Sequence, residues 1–331
     1  MGRDKVIVKS LYDQAYDRLK AMRAFGQSKR RDKKNGETID KIYSIETFKT
    51  YWKHIKYFIR YVKKHHPECV NIKEAKQYVN EFLEFRESQN LSAWTIQTEA
   101  KALGKLYGIR KDSDEYFVSP IRRRADIKRS RKQTSTDKWF VKTNEELDKE
   151  VLPNIGFRRR ELLNTKGRDL YTKRSLELQI SELENKDNLT ENDELRLRAL
   201  RATRFFDNNY YVKIVGKGKK LRYAPIFDDN EFVVNKYKNA RFDEKLYPKV
   251  SSGDVHSYRT VYAHKLYEKY KNVECDKKLV ENKKGTAKKE YDDRYICRKD
   301  KAGKVYSKYG LIRVTKALGH NRLSVAVDHY F

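Results

Sequence analysis

Positive charge is the feature that most constrains how this chain can fold. Its 331 residues include 76 Lys and Arg against 47 Asp and Glu, so the formal net charge is 76 − 47 = +29. A compact state with so large an excess repels itself, so we expect a polyanion to offset it. Nucleic acid is the first candidate, because neutralised phosphates release counterions and strengthen binding; an acidic membrane surface is the alternative.

The remaining composition indicates folded domains in the cytoplasm. The hydrophobic fraction is low, at 38%, but 24 Tyr and 14 Phe can each bury a large area, and the length favours two domains. No apolar run is long enough for a membrane span, and the first residues carry no secretory segment. Cys69, Cys275 and Cys297 are widely spaced, so neither a disulfide framework nor a zinc site is predicted.

Residues 1–115 are predicted to form a helical bundle. Apolar residues recur at helical spacing between Phe48 and Val62 and again between Ile72 and Leu83, and a further helix follows Ser92, a predicted N-cap. A shorter helix is expected over residues 10–23, followed by a polar, basic loop over residues 27–36. The period of the aromatic residues favours a buried helix face over a surface that stacks on bases.

Residues 116–138 interrupt this pattern and are interpreted as a basic interdomain linker that follows phosphates. A solvated run of charge is the simpler alternative, but this run lies between two predicted folded units and not at a terminus. The predicted DNA-binding residues of the linker are Arg122, Arg123, Arg124, Lys128, Arg129, Arg131 and Lys132.

Residues 139–331 are predicted to form a second domain that mixes helices with small β-hairpins. One or two helices are expected over residues 144–163, and apolar runs on either side of a Gly-containing turn predict a β-hairpin over residues 210–226. Between them, a charged helical hairpin near residues 172–204 is expected to project from the domain as a packing or protein-contact device. Thr190 and Asp193 resemble a capping box there. The predicted fold class is therefore mainly α with small β-hairpins (α+β).

Four short stretches of this second domain contain residues suited to chemistry. They are residues 156–163 (Gly-Phe-Arg-Arg-Arg-Glu-Leu-Leu), the hairpin turn at 215–226, residues 256–259 (His-Ser-Tyr-Arg) and residues 318–320 (Leu-Gly-His), with Tyr330 near the chain end. Each stretch alone is compatible with an ordinary structural role, such as a basic helix, a solvated turn or a glycine helix cap. Their occurrence together, in this order and in a strongly basic chain, is much harder to explain by chance.

This ordered set resembles the signature of the tyrosine recombinases, the family that includes phage integrases. The resemblance implies catalytic roles for six residues: Arg158, Lys217, His256, Arg259, His320 and Tyr330. It covers residues 150–331 by motif, whereas the N-terminal bundle matches the family's core-binding domain only in architecture.

The implied reaction suits these residue types. Two arginines can hold a phosphate bidentately and stabilise its developing charge. Tyr330 is the implied nucleophile, His256 assists its deprotonation as general base, and His320 donates a hydrogen bond to the phosphate. Lys217 protonates the departing 5′-oxygen. The resemblance implies a 3′-phosphotyrosyl intermediate that needs no ATP, and neither a metal nor another cofactor is predicted.

Several alternatives remain open in the sequence. Arg168 is a rival for the first arginine, and Lys219 and Lys220 compete with Lys217; Lys219 is also a predicted DNA contact. Tyr258, Tyr262 and His264 are interpreted as packed residues. The segment between Arg259 and His320 is longer than is usual in the family, and a small β-hairpin insertion is expected within residues 272–308.

The resemblance also implies partners and a location. We expect a site-specific recombinase of a mobile genetic element that binds double-stranded DNA as a homo-tetramer on two sites, with an accessory directionality protein. The location expected is cytoplasmic, associated with the nucleoid of a prokaryotic host. A relaxing topoisomerase, a telomere resolvase and a non-catalytic DNA-binding protein are the alternatives, and an RNA-binding protein ranks low because no RNP-type aromatic motif occurs.

Overall fold

The computed structural model describes residues 9–121, 147–216, 218, 220–247, 255–274, 293–298 and 301–331. The chain divides into two units, residues 1–130 and residues 131–331, with the boundary inside the segment predicted as a linker. All seven predicted DNA-binding residues of the linker, Arg122 to Lys132, lie outside the described residues, as do Lys217, Lys219 and Cys275.

Five helices form the described part of the first unit. They are α1 (Leu11–Ala21), α2 (Lys29–Lys34), α3 (Ile45–His65), α4 (Val79–Ser88) and α5 (Ala93–Tyr107), with a 3₁₀ turn at Glu74–Tyr78. Ser92 caps α5 as predicted, because its side chain accepts the backbone N–H of Thr95. The prediction of a loop over residues 27–36 is wrong: Ser28 accepts the backbone N–H of Arg31 and so caps α2.

The core of the first unit lies between α1, α3, α4 and α5. Phe58 and Phe82 are buried with their ring centroids 5.5 Å apart, which confirms that these aromatics serve as core. Glu99 is also fully buried, and it is compensated by three hydrogen bonds from Arg86 and one contact with His54. This unit is therefore held together by a core of aliphatic and aromatic side chains that also contains a paired carboxylate.

The second unit contains the predicted hairpin as part of a three-stranded antiparallel sheet. The strands are β1 (Leu170–Thr172), β2 (Tyr210–Gly216) and β3 (Lys220–Pro225), in the order β1-β2-β3. Gly216 pairs with Lys220, and this is the last pair of the β2–β3 ladder. A separate hairpin joins β4 (Arg294–Ile296) and β5 (Val305–Ser307), as expected within residues 272–308. The predicted fold class is confirmed, although β1 was not anticipated.

Helices surround this sheet. Among the described residues of the second unit, the helices are α6 (Leu152–Ile155), α7 (Arg159–Asn164), α8 (Lys173–Glu184), α9 (Glu191–Arg201), α10 (Glu231–Lys238), α11 (Val255–Tyr270), α12 (Lys308–Leu318) and α13 (Leu323–Tyr330). None of the helices among the described residues is long and apolar enough to cross a membrane.

A glycine separates α6 from α7 and thereby places the first predicted arginine. Gly156 has φ +69°, and a Cβ atom there would overlap the ring of Tyr262, so both its conformation and its space require glycine. The predicted helical region over residues 144–163 consequently breaks here. Arg158 follows at the N-cap of α7 and is not in the middle of a helix.

The helical hairpin of α8 and α9 packs against the second unit along its length. Leu176, Ile180, Leu197 and Leu200 are buried in the same core as residues of β3 and α12. The predicted capping box is confirmed, since Thr190 and Asp193 exchange side-chain and backbone hydrogen bonds at the start of α9. The hairpin is thus an integral part of this unit and does not project freely from it.

Candidate active site

The structure brings five of the six predicted catalytic residues into one region of the second unit. Arg158 precedes α7, His256 and Arg259 lie on α11, His320 follows α12, and Tyr330 ends α13. The sixth, Lys217, lies outside the described residues. Residues distant in sequence therefore meet here because α11, α12 and α13 pack against one another.

The hydroxyl group of Tyr330 lies between two of these residues. Arg259 Nε donates a hydrogen bond of 2.8 Å to this oxygen, and His320 Nε2 lies 3.2 Å from it. The arginine can only donate, whereas His320 Nε2 donates to this oxygen or accepts from it according to the tautomer of the ring. Burial, followed by the positive charge of Arg259 and Arg158, lowers the pKa of His320 to about 3. His320 is therefore neutral near pH 7, and at this position its imidazole is a weak base.

Arg259 is a buried anchor for this arrangement. Its side chain is 1% exposed, and its two terminal nitrogens donate to the carbonyl oxygens of Gly156 and Leu318, the latter at 2.6 Å. Burial, together with the nearby charge of Arg222, lowers its pKa to about 10, so the guanidinium remains charged at neutral pH. The two carbonyls come from α6 and α12, so the arginine ties both helices to the tyrosine.

Glu161 is a buried carboxylate shared by the arginines of the site. It accepts from Arg158 Nη1 at 2.7 Å, it binds Arg222 through two hydrogen bonds of 3.0 and 2.8 Å, and it lies 3.8 Å from Arg259 Nη1. Burial raises the pKa of Glu161, but the hydrogen bonds and charge of Arg222 outweigh it, and the result is a pKa of about 2. The carboxylate is thus ionised at every physiological pH and fixes the positions of the arginines.

Arg222 is a third arginine of this region that sequence reasoning did not single out. It lies on β3 with only 5% exposure, and its Nε atom is buried without a hydrogen-bond partner among the described residues. Gly319 leaves room for it, since a Cβ atom there would be 3.0 Å from Arg222 Cδ. The available signal was its position two residues after Lys220 in the motif around the turn.

His256, the predicted general base, contacts the tyrosine ring. It is exposed, and its ring centroid lies 5.9 Å from that of Tyr330 at an angle of 69°. His320, predicted to bind the phosphate, is at hydrogen-bond distance from the hydroxyl. The geometry therefore places two imidazoles beside the tyrosine, that of His320 at its hydroxyl group and that of His256 against its ring.

The structure also shows the positions of alternative residues that the sequence left open. Arg168 pairs with Asp243 at 2.7 Å, away from the arginine cluster. Tyr262 is fully buried and donates to the carbonyl of Pro225, so it is a core residue as expected. Lys220 Nζ donates to the carbonyl oxygen of Gly319 at 2.6 Å, next to His320.

His264 was expected to be packed, but it is exposed, and it contacts the last two residues of the chain. Its Nε2 atom lies 2.7 Å from the carbonyl oxygen of Tyr330, and its ring lies against Phe331 with centroids 4.7 Å apart. Among the described residues no group of three or more His, Cys, Asp or Glu side chains is placed to hold a metal ion.

Acidification is expected to destabilise the second unit through His320. An unfolded histidine titrates near 6.5, whereas the pKa of folded His320 is about 3, so between these values only the unfolded state takes up the proton. Stability should therefore fall as the pH drops below about 6.5, and the fall between about pH 7 and about pH 5 should be smaller in His320→Gln. Urea unfolding at each pH measures this; the same fall in both proteins would contradict the burial of a neutral His320.

Comparison with known protein families supports the identity of the first unit. Residues 37–112 match the family described as phage integrase, N-terminal SAM-like domain, and they include α3, α4 and α5. This match confirms the resemblance to the phage integrase family that the motifs of the other unit indicated. No protein of curated function matches the chain.

Proposed function

Because the chain carries a phage integrase N-terminal domain, we propose that it is a site-specific recombinase that cleaves and rejoins DNA through Tyr330. One observation carries the proposal: the Tyr330 hydroxyl lies 2.8 Å from Arg259 Nε and 3.2 Å from His320 Nε2. A phenol has an ordinary pKa of about 10 and is a weak nucleophile, so it needs a positive charge at its oxygen, which stabilises the phenolate, and a base that takes its proton.

The first step transfers one phosphoryl group from DNA to the enzyme. The phenolic oxygen of Tyr330 attacks the scissile phosphorus as its proton passes to His256, the general base that the family resemblance implies, and the bond from phosphorus to the 5′-oxygen breaks. Lys217 supplies the proton that the leaving oxygen needs. The product is a 3′-phosphotyrosine and a free 5′-hydroxyl, and attack by a 5′-hydroxyl on the same phosphorus reverses the step. The energy of the phosphodiester is kept, so ATP is not consumed.

The charge balance of the site supports a phosphate as the missing partner. Arg158, Arg222 and Arg259 contribute three positive charges near a single buried carboxylate, Glu161. The side chain of Arg158 remains 41% exposed, so it can still bind an entering phosphate. Fixed guanidinium groups stabilise charge that develops on the non-bridging oxygens without reorganising at the moment of reaction.

The remaining parts of the proposal follow from the family resemblance. Double-stranded DNA is the substrate, the active assembly is a homo-tetramer on two DNA sites, and an accessory protein sets direction. The recombinase belongs to a mobile genetic element, and the host of that element is a prokaryote. The large positive charge of the chain supports the choice of DNA as partner.

Covalent capture of DNA from a pool of random-sequence duplexes tests this proposal, and it does not require the target sequence to be known. Nicked duplexes with randomised sequence are incubated with the protein in EDTA and without ATP, and DNA that stays attached after denaturation is recovered and sequenced. We expect wild-type protein to retain DNA of a defined sequence and Tyr330→Phe to retain none. Wild-type protein that binds duplex but forms no adduct would favour a non-catalytic DNA-binding protein.

The DNA product that forms on the selected sequence then distinguishes recombination from the other reactions that share this chemistry. We expect two duplexes carrying the sequence to exchange strands. Relaxed supercoils without exchange would indicate a topoisomerase, and closed hairpin ends would indicate a telomere resolvase.

A further inference from the structure

The β4–β5 hairpin contacts the helix that ends with the candidate nucleophile. Two of its residues make these contacts: Lys301, which lies between the two strands, and Tyr306 on β5. We propose that Lys301 and Tyr306 are positioning residues, which hold α13 so that the hydroxyl group of Tyr330 stays at its hydrogen-bond partners. The inference rests on the proposed function for the reaction that Tyr330 performs, and it gives the hairpin insertion a role in that reaction.

The helix α13 depends on its surroundings because it is short. It has eight residues, and a helix of that length is not stable in water by itself. Arg322, at its N-cap, makes no side-chain capping hydrogen bond. The buried residues of α13 are Ala326, Val327 and Tyr330, which share one face and join the core of the second unit. A face of three residues leaves the end of the helix to be fixed by other contacts.

The carbonyl groups of the last turn receive partners from outside the helix. Lys301 Nζ donates to the carbonyl oxygen of Val327 at 2.8 Å, and His264 Nε2 lies 2.7 Å from that of Tyr330. The last carbonyls of a helix have no partner within it, and a positive charge near them interacts favourably with the helix dipole. The ammonium group of Lys301 therefore stabilises the turn that contains the nucleophile.

An aromatic cluster holds Phe331, the residue that follows the nucleophile. The ring of Phe331 lies against three others, with centroid distances of 5.5 Å to Tyr306, 4.9 Å to Tyr267 and 4.7 Å to His264. Tyr267 and Tyr306 also contact each other edge to face, with centroids 5.9 Å apart. Such pairs contribute more than the area that they bury. Because Tyr330 is bonded to Phe331, it cannot shift without disturbing this cluster.

The hairpin is attached to the elements that carry the rest of the site. Tyr267, on α11, accepts the backbone N–H of Ser307 through its hydroxyl oxygen at 2.9 Å. Asp293, just before β4, accepts the backbone N–H of Tyr309 at 2.8 Å and thereby joins the hairpin to α12. Since α11 also carries Arg259, the hairpin connects the end of α13 to the helix whose arginine contacts the tyrosine.

The two faces of the hairpin differ in the way that this role requires. Tyr295 pairs with Tyr306, and Ile296 pairs with Val305, so the two pairs point to opposite faces. Tyr295 and Tyr306 pack against the core of the second unit, whereas the side chains of Ile296 and Val305 are 58% and 53% exposed. Val305 is therefore a matched control for Tyr306, because it is the adjacent residue of the same strand and lies on the face turned away from α13.

The test compares Tyr306→Ala with Val305→Ala in single-turnover adduct formation on saturating nicked DNA. We expect the rate constant to fall about tenfold in Tyr306→Ala, because a displaced nucleophile meets the phosphorus less often in line, and to change less than about twofold in Val305→Ala. Tyr306→Phe should keep the wild-type rate, since the ring is retained. DNA affinity should change less than about twofold in all three variants.

The shape of the time course separates positioning from folding. A residue that only stabilises the fold changes the fraction of protein that reacts and leaves the rate constant of that fraction unchanged. We expect Tyr306→Ala to react to the same final extent as wild type, but more slowly. A reduced extent at the wild-type rate, or equal rates in Tyr306→Ala and Val305→Ala, would overturn the inference.

Hydrogen exchange tests the contact without requiring the reaction. Exchange of the free protein is followed by mass spectrometry, and peptides of α9 serve as the internal reference. We expect amides of α13 to exchange about fivefold faster in Tyr306→Ala, while those of α9 keep their rate. Lys301→Met, which removes the ammonium group and keeps an unbranched side chain, should have the same effect on the last turn.

Unchanged exchange of α13 in both variants would overturn the positioning role. Faster exchange of α13 in the variants of a protein whose wild type forms no adduct would instead overturn the proposed reaction, and it would support the hairpin as the element that holds α13.

Discussion

Replacing Glu161 by alanine is expected to destabilise the second unit by about 3–5 kcal/mol, because it leaves buried cations without their partner. Arg222, only 5% exposed, would lose both of its hydrogen bonds to carboxylate, and Arg158 would lose two more. Urea unfolding near pH 7 measures the loss of stability.

Glu184→Ala is the matched control for this change. Glu184 also forms ion pairs with two arginines, Arg201 and Arg204. However, the side chain of Glu184 is 29% exposed, and the side chains of Arg201 and Arg204 are 51% and 43% exposed. Exposed pairs of this kind contribute about 0–1 kcal/mol. Equal destabilisation by Glu161→Ala and Glu184→Ala would show that Glu161 does not hold the arginine cluster together.

Arg259→Lys is expected to slow adduct formation by about 10²- to 10³-fold while DNA affinity changes less than about twofold. Lysine keeps the charge but loses the planar fork that contacts Tyr330, Gly156 and Leu318 at once. The tyrosine and a bound phosphate would then no longer be held in one geometry. Single-turnover measurements on saturating nicked DNA separate this effect on rate from an effect on binding.

Arg313→Lys is the control that distinguishes a loss of reaction rate from a loss of folding stability. Arg313 is also buried, and its guanidinium donates to the carbonyl oxygens of Phe205, Val273 and Glu274, away from Tyr330. We expect Arg313→Lys to cost stability and to leave the rate of adduct formation nearly unchanged. A comparable loss of rate in both variants would mean that Arg259 acts only through the fold.

The sequence predicted the parts of the structure that depend on local signals. Ser92 and Thr190 cap helices because a hydroxyl before an apolar helical pattern satisfies a free N–H. The β2–β3 hairpin was visible from two apolar runs around glycines. The short helix α2 was missed because its residues are almost all charged, so no apolar period marks it.

Parts of the site depend on contacts that no local pattern contains. Arg222 is buried, yet its partner Glu161 is 61 residues away in sequence, and β3 is buried on both faces from Arg222 onward, so alternation gives no signal. The order of Arg158, Arg259, His320 and Tyr330 was readable only because several motifs occur together. The relation of His320 to the tyrosine hydroxyl requires the packing of α12 against α13, which only the folded chain provides.

The central claim is that Tyr330 is the residue that becomes joined to DNA, and mapping the attachment tests it most directly. Captured protein–DNA complexes are digested with protease and nuclease, and mass spectrometry locates the residue that carries the nucleotide remnant. Tyr330→Phe is the control. We expect this variant to fold normally, because it loses only the hydrogen bonds of the hydroxyl group with Arg259 and His320, which contribute about 1 kcal/mol each. The account predicts a phosphodiester remnant on Tyr330 in wild type and none anywhere in the variant. A remnant on any other residue, or an adduct that persists in Tyr330→Phe, would contradict it.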